Sequence, residues 1–162
     1  MTREHRLDET DLAILRLLQG NGRISNAEIA RELDMAPSAI LDRIRKLEAR
    51  RTITGYEARL DPHAVGLGLT AFVLVRTDEK IGSGGTGLAI AKIPEVLEVH
   101  HVAGEDCYLV KVRVADTDAL GTLLRQDFGR LKAVRSTRTT IVLATVKDSA
   151  QLPLEHLAVA DE

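Results

Sequence analysis

The sequence predicts an α+β chain in two parts, three short helices followed by a four-stranded sheet with helices between its strands. Three observations carry this. Apolar residues recur at helical spacing from Leu12 to Leu47, a period that argues for amphipathic helices. From Leu69 onward the pattern changes to compact apolar runs rich in valine, LTAFVLVRT, VLEVHHVA, CYLVKVRV and TRTTIVLATVK, which read as strands. The middle two runs are separated by Gly104-Glu105 with Asp106 beside them, a break so short that the two strands must form an antiparallel hairpin.

The first helix is expected to begin at Asp8, with Leu7 and Leu12 as a hydrophobic staple and Leu12, Ile14, Leu15, Leu17 and Leu18 as its apolar set. The second begins near Asn26. Ser25 is its N-cap, Glu28 closes a capping box, and Ile24 and Ile29 stand at the two staple positions. The run Asp34-Met35-Ala36 breaks the period, and Pro37 takes the first-turn position where its missing N–H is harmless. The third helix then runs to about Arg50.

At 100° per residue, Ile40, Leu41, Ile44 and Leu47 fall on one face of that third helix and leave Ser38, Ala39, Asp42, Arg45, Lys46 and Ala49 on the other. The outward face is small at its N-terminal end and basic further along. Small residues let a helix sink into the major groove of double-stranded DNA, where Arg and Lys reach base edges or phosphates. Arg43, Arg50 and Arg51 widen the basic rim, and Asp42 orients a neighbouring cation or rejects wrong bases. The unit reads as a DNA-binding helix-turn-helix, with Thr52 to Tyr56 expected as a β-rich wing or hinge strand.

In the second half, Thr86 to Lys92 is a short helix candidate and Thr117 to Gly129 a better one, with Asp116 as its cap and Leu120, Leu123, Leu124 and Phe128 at helical spacing. The order β-α-β-β-α-β is the split βαβ, ferredoxin-like arrangement. Its first strand is apolar on both faces, with Leu69, Ala71, Val73 and Val75 alternating with Phe72 and Leu74, and the last repeats this with Ile141 and Leu143 against Val142 and Ala144. Two helices cover one face only, so another subunit is expected to cover the other. The parts expected are 1–54 for the DNA-binding domain, 55–68 for a hinge, 69–148 for the sheet domain and 149–162 for a tail.

The 162 residues carry a net charge of −2, which points to no class of partner, but the charge is unevenly spread. Between Arg43 and Arg51 stand five cations and one acid, a focused patch that suits DNA binding by a dimer or larger assembly. One cysteine, Cys107, excludes an intrachain disulfide. Nothing at the N-terminus resembles a signal peptide and no apolar run is long enough for a membrane span, so a cytoplasmic protein is expected.

Catalytic readings are weaker. Gly82-Ser83-Gly84-Gly85-Thr86-Gly87 matches G-x-G-x-x-G between a strand and a helix, but a hairpin follows where a dinucleotide fold needs further parallel βα units. A surface turn is the better account. His100, His101 and Cys107 are near one another in sequence, yet adjacent residues on a strand point to opposite faces and do not converge on a metal. No catalytic triad or carboxylate pair stands out, and neither an enzyme nor a cofactor is expected. The rival is a ligand-binding or enzymatic α/β domain whose helical part is an adaptor for protein, which would not bind duplex DNA.

A helix-turn-helix of this spacing, the Gly55-Tyr56 hinge and a ferredoxin-like second half together resemble the Lrp/AsnC, or feast/famine, family of transcription regulators. The segments LDETDLAILRLLQGNGRISNAEIA, APSAILDRIRKLEARRTITGY, VAGEDCYLVKVRV and RSTRTTIVLATVK carry the resemblance in the family's order across nearly the whole chain. It implies a regulator that dimerises through its sheets, often assembles into octamers, and binds a small effector, commonly an amino acid, near the central turn and the start of the last strand. Here that designates Gly104, Glu105 and Asp106, then Thr137 and Thr139, and lastly His101. Glycine permits close backbone approach, and amides beside an acid suit the two ends of a zwitterion. Two positions depart from the pattern: Cys107 stands where an acid often precedes the aromatic, and Ala36 where a capping Ser or Thr is common.

Overall fold

The computed structural model describes residues 7–80, 84–104 and 107–157. They fall into two compact units, one holding the residues up to Arg59 together with those from Asp148 on, the other spanning Leu60–Lys147.

The first unit contains α1 (Glu9–Gly20), α2 (Asn26–Glu32) and α3 (Pro37–Ala49). Each start is chemically explained. The Asp8 carboxylate accepts the Asp11 N–H at 2.7 Å and caps α1. Ser25 and Glu28 exchange side-chain and backbone bonds in a complete capping box on α2. Ala36 precedes α3 with no side-chain cap, and Pro37 takes the first turn. The ends of α2 and α3 share one device. The Met35 N–H donates to the Ala30 carbonyl and the Thr52 N–H to that of Leu47, the six-to-one closure of a Schellman motif. The residues in the left-handed position are Asp34 at φ 51° and Arg51 at φ 58°, neither of them glycine. The core joins Ile14, Leu15, Ile29, Ala30, Ile40, Ile44 and Leu47.

Residues 52–60 contain no strand, which corrects the expected wing. Thr52 and Ile53 spend their N–H groups on the Leu47 carbonyl, and among the described residues no strand pairs with them. In the segment expected as a tail, Leu154 packs on the helical core.

The second unit is a sheet of β1 (Leu69–Thr77), β2 (Val96–His101), β3 (Tyr108–Val114) and β4 (Val134–Ile141) in the order β2-β3-β1-β4, with every neighbouring pair antiparallel. The helices are α4 (Gly85–Ile90) and α5 (Thr117–Leu123), the latter continued by a wider π turn over Leu124–Phe128. This is the ferredoxin-like order expected. Ala71, Val73, Val75, Val110 and Val112 face Ile90, Leu120, Leu123 and Phe128 in one core. The opposite face carries the half-buried Phe72, Leu74 and Leu109.

The last strand ends six residues short of its expected limit at Lys147. Ile141 pairs with Ala71, the Val142 N–H still reaches the Thr70 carbonyl, and the ladder with β1 ends there. Leu143 and Val146 are consequently almost wholly exposed, at 98% and 100%.

The glycine run also has a structural explanation, although Gly82 and Ser83 lie outside the described residues. The Glu79 carboxylate accepts the Thr86 N–H at 2.7 Å and the Tyr108 hydroxyl at 3.1 Å. A side-chain acid thus occupies the helix start where the nucleotide reading would put a phosphate. A Cβ on Gly87 would stand 2.7 Å from the Tyr108 ring, whereas one on Gly84 would meet nothing within 4 Å. Gly87→Ala should therefore lower stability by about 1–3 kcal/mol through overpacking, while Gly84→Ala leaves the thermal midpoint within a degree or so of the parent. Paired thermal melts check this.

Candidate nucleic-acid interface and effector turn

The buried stripe Ile40, Ile44 and Leu47 sets the rotation of α3. On the other side Ser38, Asp42, Arg45, Lys46 and Ala49 are exposed, with Ala39 half-buried beside them and Arg50 and Arg51 exposed beyond. Arg45, Lys46, Arg50 and Arg51 enter no ion pair among the described residues. Their charge is available to an outside anion.

Arg43 is different, because its charge is already engaged within the protein. Its guanidinium donates to Asp8 Oδ2 at 2.7 Å and to Asp11 Oδ1 at 2.8 Å, tying α3 to the start of α1. The helical wheel carries the signal: at 100° per residue Arg43 lies within about 60° of both Ile40 and Leu47, on the flank of the buried face. Partial burial acts to raise the Asp8 carboxyl, but bonds from Arg43 and from the Asp11 and Thr10 amides outweigh it and hold the group below its ordinary value.

Leu41, expected inside, is half-buried and lines a groove with Leu18, Gly22, Ile24, Ile44, Arg45, Glu48 and Tyr56. The Tyr56 hydroxyl donates to Glu48 Oε1 at 3.0 Å. Burial, and then this acid, raise the phenol above its ordinary value. Sequence reasoning read Tyr56 only as a hinge residue; here it fastens the segment after α3 back onto that helix.

In the sheet unit, Thr137 is in register with Val75, Val75 with Tyr108, and Tyr108 with His101. That row crosses all four strands, so His101 and Thr137 stand about 14 Å apart at the usual strand spacing. One free amino acid cannot touch both within a single chain. The candidates thus form a hairpin group, His101 and Gly104, and a β4 group, Thr137 and Thr139. Glu105 and Asp106 lie outside the described residues. Gly104 has φ 131° and open space where a Cβ would stand, so its backbone can be approached closely. The His101 ring lies against that of Tyr108, centroids 5.2 Å apart, whereas His100 turns to Glu98 at 3.2 Å. The two histidines diverge as strand geometry requires, and no metal-binding cluster exists among the described residues.

The profile of the AsnC-type helix-turn-helix domain matches residues 7–48, and that of the Lrp/AsnC ligand binding domain matches residues 70–152. The chain belongs to the Lrp/AsnC family. It is a helix-turn-helix transcription regulator with a ligand-binding domain. The leucine-responsive regulatory protein of Escherichia coli K12 is 37% identical over 153 residues, 92% of each chain. A transcriptional regulator of Neisseria meningitidis, solved with L-methionine, is similar at TM-score 0.88 and 34% identity over 93% of this chain and 99% of that one. The feast or famine regulatory protein of Mycobacterium tuberculosis, also complexed with L-methionine, gives 0.83 and 36% over 90% and 98%. Among the described residues no helix is long and apolar enough to cross a membrane.

Two expectations follow from this geometry. A carboxyl held below its ordinary value contributes stability above that ordinary range, near pH 3.9, and loses it as pH falls through the folded value. Arg43→Gln should therefore flatten the acid limb of the stability–pH curve below about pH 4, read from urea midpoints between pH 2 and 6. Arg51→Gly should remove a left-handed strain of about 1–2 kcal/mol and raise the thermal midpoint, while weakening DNA binding by fluorescence anisotropy.

Proposed function

We propose that Ser38, Ala39, Asp42, Arg45, Lys46, Arg50 and Arg51 meet double-stranded DNA, with α3 lying in the major groove and a two-fold assembly reading paired half-sites. The observation that carries this reading is the exposed side of α3, small at Ser38 and Ala39 and then cationic at Arg45 and Lys46, which enter no ion pair among the described residues. One such module is a weak binder, so a dimer or larger assembly supplies the rest. The half-buried Phe72, Leu74 and Leu109 on the sheet face opposite the helices support a homodimer joined there, with an octamer as its further assembly. A member of this regulator family acts through DNA, not as an enzyme, and works where the DNA is, in the cytoplasm.

The effector we propose is an amino acid, with methionine the first choice because two similar regulators were solved with it. Its site is the hairpin group His101, Gly104, Glu105 and Asp106 of one subunit, with Thr137 and Thr139 of another. The separation across a single sheet supports a site built between copies. The effector shifts promoter occupancy only if its affinity differs between two assembly or orientation states. Cys107 stands where the family pattern often has an acid, and Asp106 beside it takes the role of holding a ligand's ammonium group.

Binding to the protein's own upstream DNA should weaken linearly in log affinity against log salt, and Arg45→Ala or Lys46→Ala should each reduce the slope by about one. An amino-acid panel led by methionine should shift affinity or assembly size. A slope unchanged in both variants removes α3 as the reading helix, and a flat panel removes the effector.

A further inference from the structure

We infer that Arg43 is a positioning residue for DNA recognition: clamped by Asp8 and Asp11, it holds the reading end of α3 in place, and its guanidinium makes no contact with DNA. This role rests on the reading of α3 as the helix that meets DNA. Every group involved belongs to the helical unit. A single nitrogen, Arg43 Nη1, donates to Asp8 Oδ2 at 2.7 Å and to Asp11 Oδ1 at 2.8 Å, which uses both of its hydrogens. Asp11 is buried, and the Arg43 side chain is only 30% exposed. The Asp8 carboxylate is doubly engaged as well. Its Oδ1 accepts the Asp11 N–H and caps α1 while its Oδ2 holds Arg43, so the start of one helix and the middle of another are fixed to the same group. A phosphate could claim Nη1 only by taking the cation from the buried Asp11, and a buried charge stripped of its partner is strongly destabilising.

Two features of α3 make this clamp matter for reading a sequence. The stripe Ile40, Ile44 and Leu47 fixes the rotation of the helix, but burial of aliphatic surface is non-directional, so small slides along the axis and changes of tilt cost little. Charge-assisted hydrogen bonds are directional and specify a place. The start of α3 also lacks the device that holds the other two helices. Asp8 caps α1 and Ser25 caps α2, whereas Ala36 supplies no side-chain bond. Among the described residues, no side chain of α3 ahead of Arg43 makes a hydrogen bond or ion pair. Ser38, Ala39 and Asp42 all stand in that unanchored stretch, and Arg43 follows about 7.5 Å along the axis from Ser38 at the usual rise per residue. The clamp is therefore the nearest directional side-chain anchor to the small, outward residues that enter the groove.

The test uses the full chain, with binding to its own upstream duplex and to a random duplex of equal length measured across a salt series. The parent is compared with Arg43→Gln and with the double variant Asp8→Asn/Asp11→Asn, each well below its own thermal midpoint. Asparagine keeps the N-cap of α1, and the double variant leaves Arg43 intact but released. Should the double variant not fold, Asp8→Asn alone, at the exposed end of the clamp, takes its place. Preference for the upstream duplex over the random one should fall about tenfold in both variants, while the slope of log affinity against log salt stays at the parent's value because no phosphate contact is lost. A slope smaller by one in Arg43→Gln makes Arg43 a phosphate contact, and full preference in the aspartate variant makes the clamp a matter of stability alone; either result overturns the inference. A parent with no preference for the upstream duplex removes the reading of α3 itself, a failure distinguished by its presence before any substitution.

Discussion

Burying Ile40, Ile44 and Leu47 among Ile14, Leu15 and Ile29 fixes the rotation of α3 about its own axis, and that rotation decides which side chains are left for DNA. Each such aliphatic side chain contributes about 1.5–3 kcal/mol when fully buried. An exposed ion pair contributes about 0–1 kcal/mol. The apolar stripe therefore prevails over any arrangement the charges would prefer, and the cations sort by angle. Arg43, on the flank of the stripe, is captured by Asp8 and Asp11; Arg45 and Lys46, on the far side, stay in solvent. Two residues in the left-handed conformation, Asp34 and Arg51, mark where α2 and α3 stop. An arginine kept where glycine would be easier is consistent with a use for its charge.

Much of this was legible in the residues because it depends on local chemistry. Ser25 with Glu28, Asp8 before α1 and Pro37 at the start of α3 announce helix starts through bonds made within one turn. The first strand, Leu69–Thr77, and the hairpin that follows β2 could be read because apolar runs and a short polar break leave little choice. What could not be read depends on partners distant in sequence. Thr52 to Tyr56 looks like a strand, but a strand needs a neighbour. TRTTIVLATVK looks like one long strand, yet its pairing with β1 stops at Ile141, opposite Ala71, with one further bond from the Val142 N–H to the Thr70 carbonyl. Arg43 was placed with the other cations because charge is obvious in a sequence and the carboxylates that claim it are on another helix.

The candidate effector residues show the same division. Gly104 was legible, since a tight turn demands a residue that tolerates φ 131°. That His101 and Thr137 lie at opposite edges of one sheet was not, because strand order follows from pairing and not from chain order. Glu79 and Tyr108 gave no warning either. Their bonds to each other and to the start of α4 turn a glycine run that resembles a nucleotide loop into a packing device.

The central claim is that the outward side of α3 enters the major groove. It is tested most directly by tethering iron–EDTA to Ser38→Cys in a Cys107→Ser background and mapping the cuts on the bound upstream DNA. The account predicts cleavage flanking the major groove in two patches about 34–36 Å apart, one helical turn, on one face of the duplex. Uniform cutting, or cutting that is stronger from a tether on Arg16→Cys of α1, would contradict it.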